Sequence, residues 1–152
     1  AYFIDFETIQ FAVPIWAGTR PYQQIPFQFS VHHLDAEGHV THTAFLDLSG
    51  HNPCRAFAQD LVAACGTQGP VFVYNAAFET TRIRELAERF ADLAPHLLAL
   101  NERVVDLLPI ARQLTPARHT EHGHITTLKR QLPGSLDHLV ENRARAQQRH
   151  IS

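Results

Sequence analysis

Two acids two positions apart open the chain, in Tyr2-Phe3-Ile4-Asp5-Phe6-Glu7-Thr8. Positions i and i+2 of a strand project from the same face, so Asp5 and Glu7 are neighbours on a strand whose other positions are largely apolar. Carboxylates that close repel each other, and burial penalises both charges. A hard divalent cation such as Mg²⁺, which takes carboxylate oxygens, resolves the conflict. Solvation at a strand end or pairing with an arginine would resolve it as well. A third acid closes Tyr74-Asn75-Ala76-Ala77-Phe78-Glu79. Strand, Asn turn and helix start put Glu79 in a first helical turn. A carboxylate there serves the helix dipole for about 0.3–1 kcal/mol, or it serves a ligand.

The elements that must position these residues follow from periodicity. Residues 2–6 form a short buried strand. A long connection from Ile9 to Pro26, with Pro14, Gly18, Pro21 and Pro26, excludes a regular element through most of its length. Loops of that length inside a domain are more often functional than idle. Phe27, Phe29 and Val31 alternate with polar residues as a second strand. Asp35-Ala36-Glu37-Gly38 is a turn, and Val40, Ala44, Leu46 and Leu48 share one face of the returning strand. Asn52-Pro53 starts a helix carrying Phe57, Leu61, Val62 and Ala64, which Gly66 ends. Residues 70–74 form another buried strand. The helix after Asn75 has the core stripe Ile83, Leu86, Ala87 and Phe90. Val104-Val105-Asp106 is a short strand, and Leu107–Leu114 is helical. Broken helices are expected around Leu128–Leu132 and Leu136–Glu141. Three antiparallel strands followed by alternating helix and strand describe an α/β fold, a mixed sheet flanked by helices.

Taken together, the two acidic segments resemble the first two motifs of the DnaQ-like (DEDD) 3′–5′ exonucleases, whose fold is RNase H-like. That family's Asp-x-Glu on the first strand is matched by Asp5 and Glu7. Its Asn-x-x-Phe-Asp opening a helix after the fourth strand is matched by Asn75 to Glu79, with Glu in place of the usual Asp. The resemblance extends over roughly residues 2–133. The stretch Thr19–Ser30 is similar to a bacterial branch of the superfamily, a domain of unknown function, in which Glu is the usual second-motif residue. Asp106 resembles a family Asp outside the metal-site set and is read as structural.

The resemblance implies a phosphodiester hydrolase using two Mg²⁺ or Mn²⁺ ions roughly 4 Å apart, held by Asp5, Glu7, Glu79 and a fourth acid. It implies single-stranded DNA or RNA ends as substrate, with Phe6, Thr8, Arg20, Tyr22, Asn75 and Phe78 as candidate contacts and Phe6 and Tyr22 as base-stacking aromatics. The family's third motif is an Asp preceded by His or Tyr, and residues 115–152 hold neither His-x4-Asp nor Tyr-x3-Asp. His150 becomes the candidate general base if an Asp follows beyond Ser152. The expectation is one nuclease domain cut from a longer chain and ending before that motif. The alternative from another class is a catalytically inactive module of the same fold that binds nucleic acid or docks a partner. A different metal-dependent phosphohydrolase would act on nucleotides and not on polymers.

The bulk composition agrees with a globular domain. At 152 residues and 45% hydrophobic, the chain can build a core without disulfides or a structural metal. No apolar run approaches the roughly 20 residues of a membrane helix. Residues 1–114 carry 7 Lys/Arg against 12 Asp/Glu, a net −5, whereas residues 115–152 carry 6 against 3. An acidic body suits a protein that gathers cations, and a basic tail can touch phosphate or simply be solvated. Cys54 and Cys65, eleven positions apart on one helix, are separated by about 16 Å, too far to bridge, which favours the cytoplasm. His119, His122 and His124 cluster in a loop but lack a fourth zinc ligand, so they read as exposed histidines.

Overall fold

The strand that carries the first two acids, β1, runs from Tyr2 to Ile9 in a computed structural model that describes residues 1–114. It pairs antiparallel with β2 (Ile25–Leu34), which pairs antiparallel with β3 (Val40–Leu46). Helix α1 (Cys54–Cys65) leads to β4 (Val71–Val73), parallel to β1. Helices α2 (Ala76–Arg89) and α3 (Ala94–Glu102) then lead to β5 (Val104–Asp106), parallel to β4. The sheet order is β3-β2-β1-β4-β5. This mixed sheet with flanking helices is an RNase H-like arrangement. Two compact units divide the chain, Ala1–Leu108 and Pro109–Ser152. The sheet and α1–α3 make the first, and α4 (Leu108–Leu114) contains the described residues of the second. The expected helices around Leu128–Leu132 and Leu136–Glu141, the loop histidines His119, His122 and His124, and His150 lie outside the described residues.

Alternation decides which sheet face is buried. Ile4 and Phe6 of β1, Phe29 and Val31 of β2, and Val71 and Val73 of β4 join Phe57 and Leu61 of α1 and Ile83 and Leu86 of α2 in one core. Phe57 is its hub, meeting Phe6, Phe29 and Phe45 edge-to-face with ring centroids 5.1, 5.3 and 5.7 Å away. Such pairs add about 0.5–1.5 kcal/mol each beyond the area they bury. The other face of the sheet carries Phe3 stacked on Phe72, and His32 stacked on His42.

Several elements differ from expectation, each for a physical reason. Strand β2 begins at Ile25, so Pro26 lies inside it and not in the loop. Pro26 sits opposite Thr8 at a register shift between Glu7 and Thr8, where its missing N–H costs no regular ladder bond. Val40, Ala44 and Leu46 do share a face of β3, but it is an exposed one, and Leu48 lies past the strand end. Phe45, on the opposite face, is the β3 residue that packs on the core. Helix α3 is an element the periodicity does not predict, although Pro95 in its first turn and Leu97 and Leu100 on its buried side carry the signal. Helix α1 starts at Cys54, whose N–H donates to Asn52 Oδ1 at 3.1 Å, so Asn52 caps from one position further out. Gly66 ends α1 with φ +51°. A Cβ there would lie 3.0 Å from the Tyr2 hydroxyl, so both conformation and space call for glycine.

Candidate functional site

β1 and the start of α2 set the positions of the three acids. Asp5 and Glu7 lie on the sheet face opposite Ile4 and Phe6, half-buried, across from Ser30 and Gln28 of β2. The register shift between Glu7 and Thr8 leaves Phe27 of β2 as the extra residue, an irregularity in the partner strand at the end of the acid pair. Strand β4 is short, pairing with β1 only at Tyr2 and Phe3. Its register places the departing chain, Tyr74 and Asn75, level with Asp5 and Phe6. α2 therefore begins just past the end of the strand that pairs with β1.

Glu79 sits in the first turn of α2, and its side chain is wholly buried, at 0% exposure. The helical repeat puts it on one stripe with Ile83 and Ala87, both buried, which explains how an acid comes to point inward. Asn75 is the N-cap residue, extended at φ −142°, and its carbonyl accepts from the Phe78 N–H at 3.2 Å; its side chain makes no capping bond. Asp106 accepts from the Leu108 N–H at 2.9 Å, which is the structural role its place in the sequence suggested.

The candidate substrate contacts separate into two groups. Phe6 requires correction. It is 4% exposed and packed edge-to-face on Phe57, because it occupies the inward position between two outward-facing acids, so it cannot stack on a base. Thr8, Asn75 and Phe78 are half-buried, and Arg20 and Tyr22 are exposed. Arg20 and Tyr22 are brought together on the β1–β2 connection, where they line a cleft with Arg82 and Glu85 of α2. Arg82 went unremarked in the sequence, although it lies three positions after Glu79 and so on the same side of the helix.

Among the described residues, the group that brings three donor atoms within 4.8 Å of one another is Asp35, Glu37 and His39, not the acids of β1 and α2. Turn geometry accounts for it. Asp35 Oδ1 accepts from the N–H groups of Glu37 (3.0 Å) and His39 (2.8 Å), and its Oδ2 meets His39 Nδ1 at 3.1 Å. The His39 N–H above all holds the Asp35 carboxyl below its ordinary range. These residues are closing a hairpin.

Residues 2–130 match a family described as a domain of unknown function, DUF2779. The chain belongs to that family. No curated protein and no solved structure matches it. The DUF2779 match takes in both acidic segments and the whole sheet. Among the described residues, no helix is long and apolar enough to cross a membrane.

Proposed function

We propose that this DUF2779 domain is a metal-dependent 3′–5′ exonuclease of DnaQ-like type, acting on single-stranded DNA or RNA ends. The observation that carries the reading is Glu79. It is a fully buried carboxylate on the first turn of α2, the helix that follows β4, and β4 is the parallel neighbour of the strand that carries Asp5 and Glu7. A buried acid at the start of the helix after β4, joined to an acid pair on β1, is the pattern that a metal-dependent nuclease of this type requires.

The donor set suits the metal. Asp5, Glu7 and Glu79 offer hard carboxylate oxygens, which fit Mg²⁺ or Mn²⁺ and would not select a soft ion. Divalent ions bound there would be held by Asp5, Glu7 and Glu79 between them. Such a pair supplies an activated water and stabilises the leaving oxygen of an in-line displacement. The protein's part is positional. β1 presents Asp5 and Glu7 at fixed strand spacing, and the packing of Ile83 and Leu86 fixes α2 and with it Glu79. Thr8 and Phe78, each next in sequence to one of these acids, and Asn75 at the start of α2 are the proposed contacts to the strand end. We place the protein in the cytoplasm, because Cys54 and Cys65 are buried free thiols on one helix.

Incubation of the complete protein with Mn²⁺ and end-labelled single-stranded DNA and RNA tests this. The wild type should release nucleoside monophosphates from the 3′ end, and Asp5→Ala should abolish release. Undiminished degradation by Asp5→Ala would exclude the site.

A further inference from the structure

The long connection between β1 and β2 folds back against α2 and encloses a cleft of about 550 Å³. Its lining is Gln10, Arg20, Pro21, Tyr22, Gln23, Gln24, Arg82 and Glu85. Pro21 is the only aliphatic residue in that set, so an apolar ligand finds little to bury there. Arg82 is the anchor. It is 8% exposed, its guanidinium lies over the Phe78 ring at 5.7 Å, and its terminal nitrogens donate to Gln24 Oε1 and to Glu85 Oε1 (3.0 Å). These bonds tie the loop to the helix that carries Glu79 and largely offset the Arg82 charge.

Arg20 and Tyr22 are two exposed residues of that lining. Arg20 is exposed, and its backbone is fixed by a bond from its N–H to Gln23 Oε1 at 3.0 Å. Tyr22 is 67% exposed and has φ +57°, a conformation that a bulky side chain rarely takes. It is held there by its N–H bond to the Phe11 carbonyl at 2.8 Å. An exposed aromatic kept in an unfavourable backbone conformation points to function. A ring for stacking, a guanidinium for a phosphate and several amides for base edges are the parts of a single-strand nucleotide site.

We propose that this cleft binds one nucleotide of a single strand, its base against Tyr22 and its phosphate at Arg20. Gln10 follows Glu7 by three residues, just past the end of β1, and Arg82 follows Glu79 by about one helical turn. The bound nucleotide is therefore an internal one, near the end that the three acids would cleave. The position relative to cleavage rests on the exonuclease reading; the binding itself does not.

Fluorescence anisotropy of the complete protein in EDTA tests it, with labelled oligothymidylate and oligouridylate as probes. Tyr22→Ala should weaken binding roughly 5- to 100-fold, while Tyr22→Phe binds as the wild type does. Arg20→Ala should weaken binding and reduce the slope of log K against log salt by about 0.7, the loss of one phosphate contact. Asp5→Ala/Glu7→Ala should keep the same dependence of binding on Tyr22 and Arg20, which separates this site from the chemistry. A chain that binds through Tyr22 and Arg20 but cleaves nothing supports the cleft and refutes the nuclease. Wild-type affinity and salt slope in both Tyr22→Ala and Arg20→Ala, or no binding of either probe by the wild type, would overturn the proposal. The relative affinity of the two probes tells DNA from RNA.

Discussion

Truncating Phe6 to alanine removes a ring from between β1 and α1, directly beneath the strand that presents Asp5 and Glu7. Phe6 is 4% exposed, and its ring meets Phe57 edge-to-face at 5.1 Å. Phe57 is itself wholly buried and simultaneously meets Phe29 and Phe45, so the surrounding rings cannot readily collapse into the space. Phenylalanine truncations in cores cost about 3–5 kcal/mol, and so well-packed a site belongs near the upper end of that range. With a urea m-value of about 2 kcal/mol per M, the unfolding midpoint should fall by roughly 2 M with m unchanged. The melting temperature should drop by roughly 10–20 °C. Urea titration followed by circular dichroism measures both. Phe6→Leu, which keeps most of the volume, should cost under about 1.5 kcal/mol. A loss below about 1 kcal/mol for Phe6→Ala, joined to weaker oligonucleotide binding, would refute the reasoning and return Phe6 to the substrate.

Arg103 closes the C-terminal end of α1, its guanidinium donating to the carbonyls of Cys65 (3.0 Å), Gly66 (2.8 Å), Gln68 (2.8 Å) and Gly69 (2.7 Å). Arg103→Ala should destabilise by roughly 2–3 kcal/mol in the same titration, and Arg103→Lys should recover less than half, because an ammonium cannot reproduce the planar fork. Burial pushes the Cys65 thiol up to about 12 from an ordinary 9.0. The folded state thus retains a proton that the unfolded state releases, and stability should decline as pH rises from about 9 to about 12. Cys65→Ala should flatten that decline in pH-dependent denaturation, and in the folded wild type Cys65 should resist iodoacetamide at pH 8.

The fold was legible where local chemistry and tertiary packing agree. Alternating Phe29 and Val31, the helical stripe of Ile83, Leu86 and Ala87, and the stop at Gly66 each state their environment directly. It was less legible where a neighbour decides. β3 is an edge strand whose inward residue is the isolated Phe45, so its apolar Val40, Ala44 and Leu46 marked the wrong face for the core. Pro26 looked like loop because a ladder tolerates proline only at an irregularity, and that irregularity, the extra residue Phe27, is visible only once β2 is paired with β1. The two motif acids of β1 were readable from spacing alone, but the same spacing turns Phe6 inward, a consequence of alternation that reading the run as a site obscured. The cleft was only half visible. Arg20 and Tyr22 drew notice as loop residues, whereas Arg82 becomes meaningful only once α2 lies beside a loop 58 positions earlier in the chain.

Direct titration of Mn²⁺ into the complete protein, followed by calorimetry or by loss of the free-ion electron paramagnetic resonance signal, bears most closely on the central claim. A His39→Ala background removes any contribution from the hairpin turn. Glu79→Gln and Asp5→Asn should each weaken Mn²⁺ binding at least tenfold, on the order of the 1.4 kcal/mol or more that one charged ligand contributes. Mn²⁺ affinity in Glu79→Gln equal to that of the His39→Ala parent would contradict a shared cation between β1 and α2.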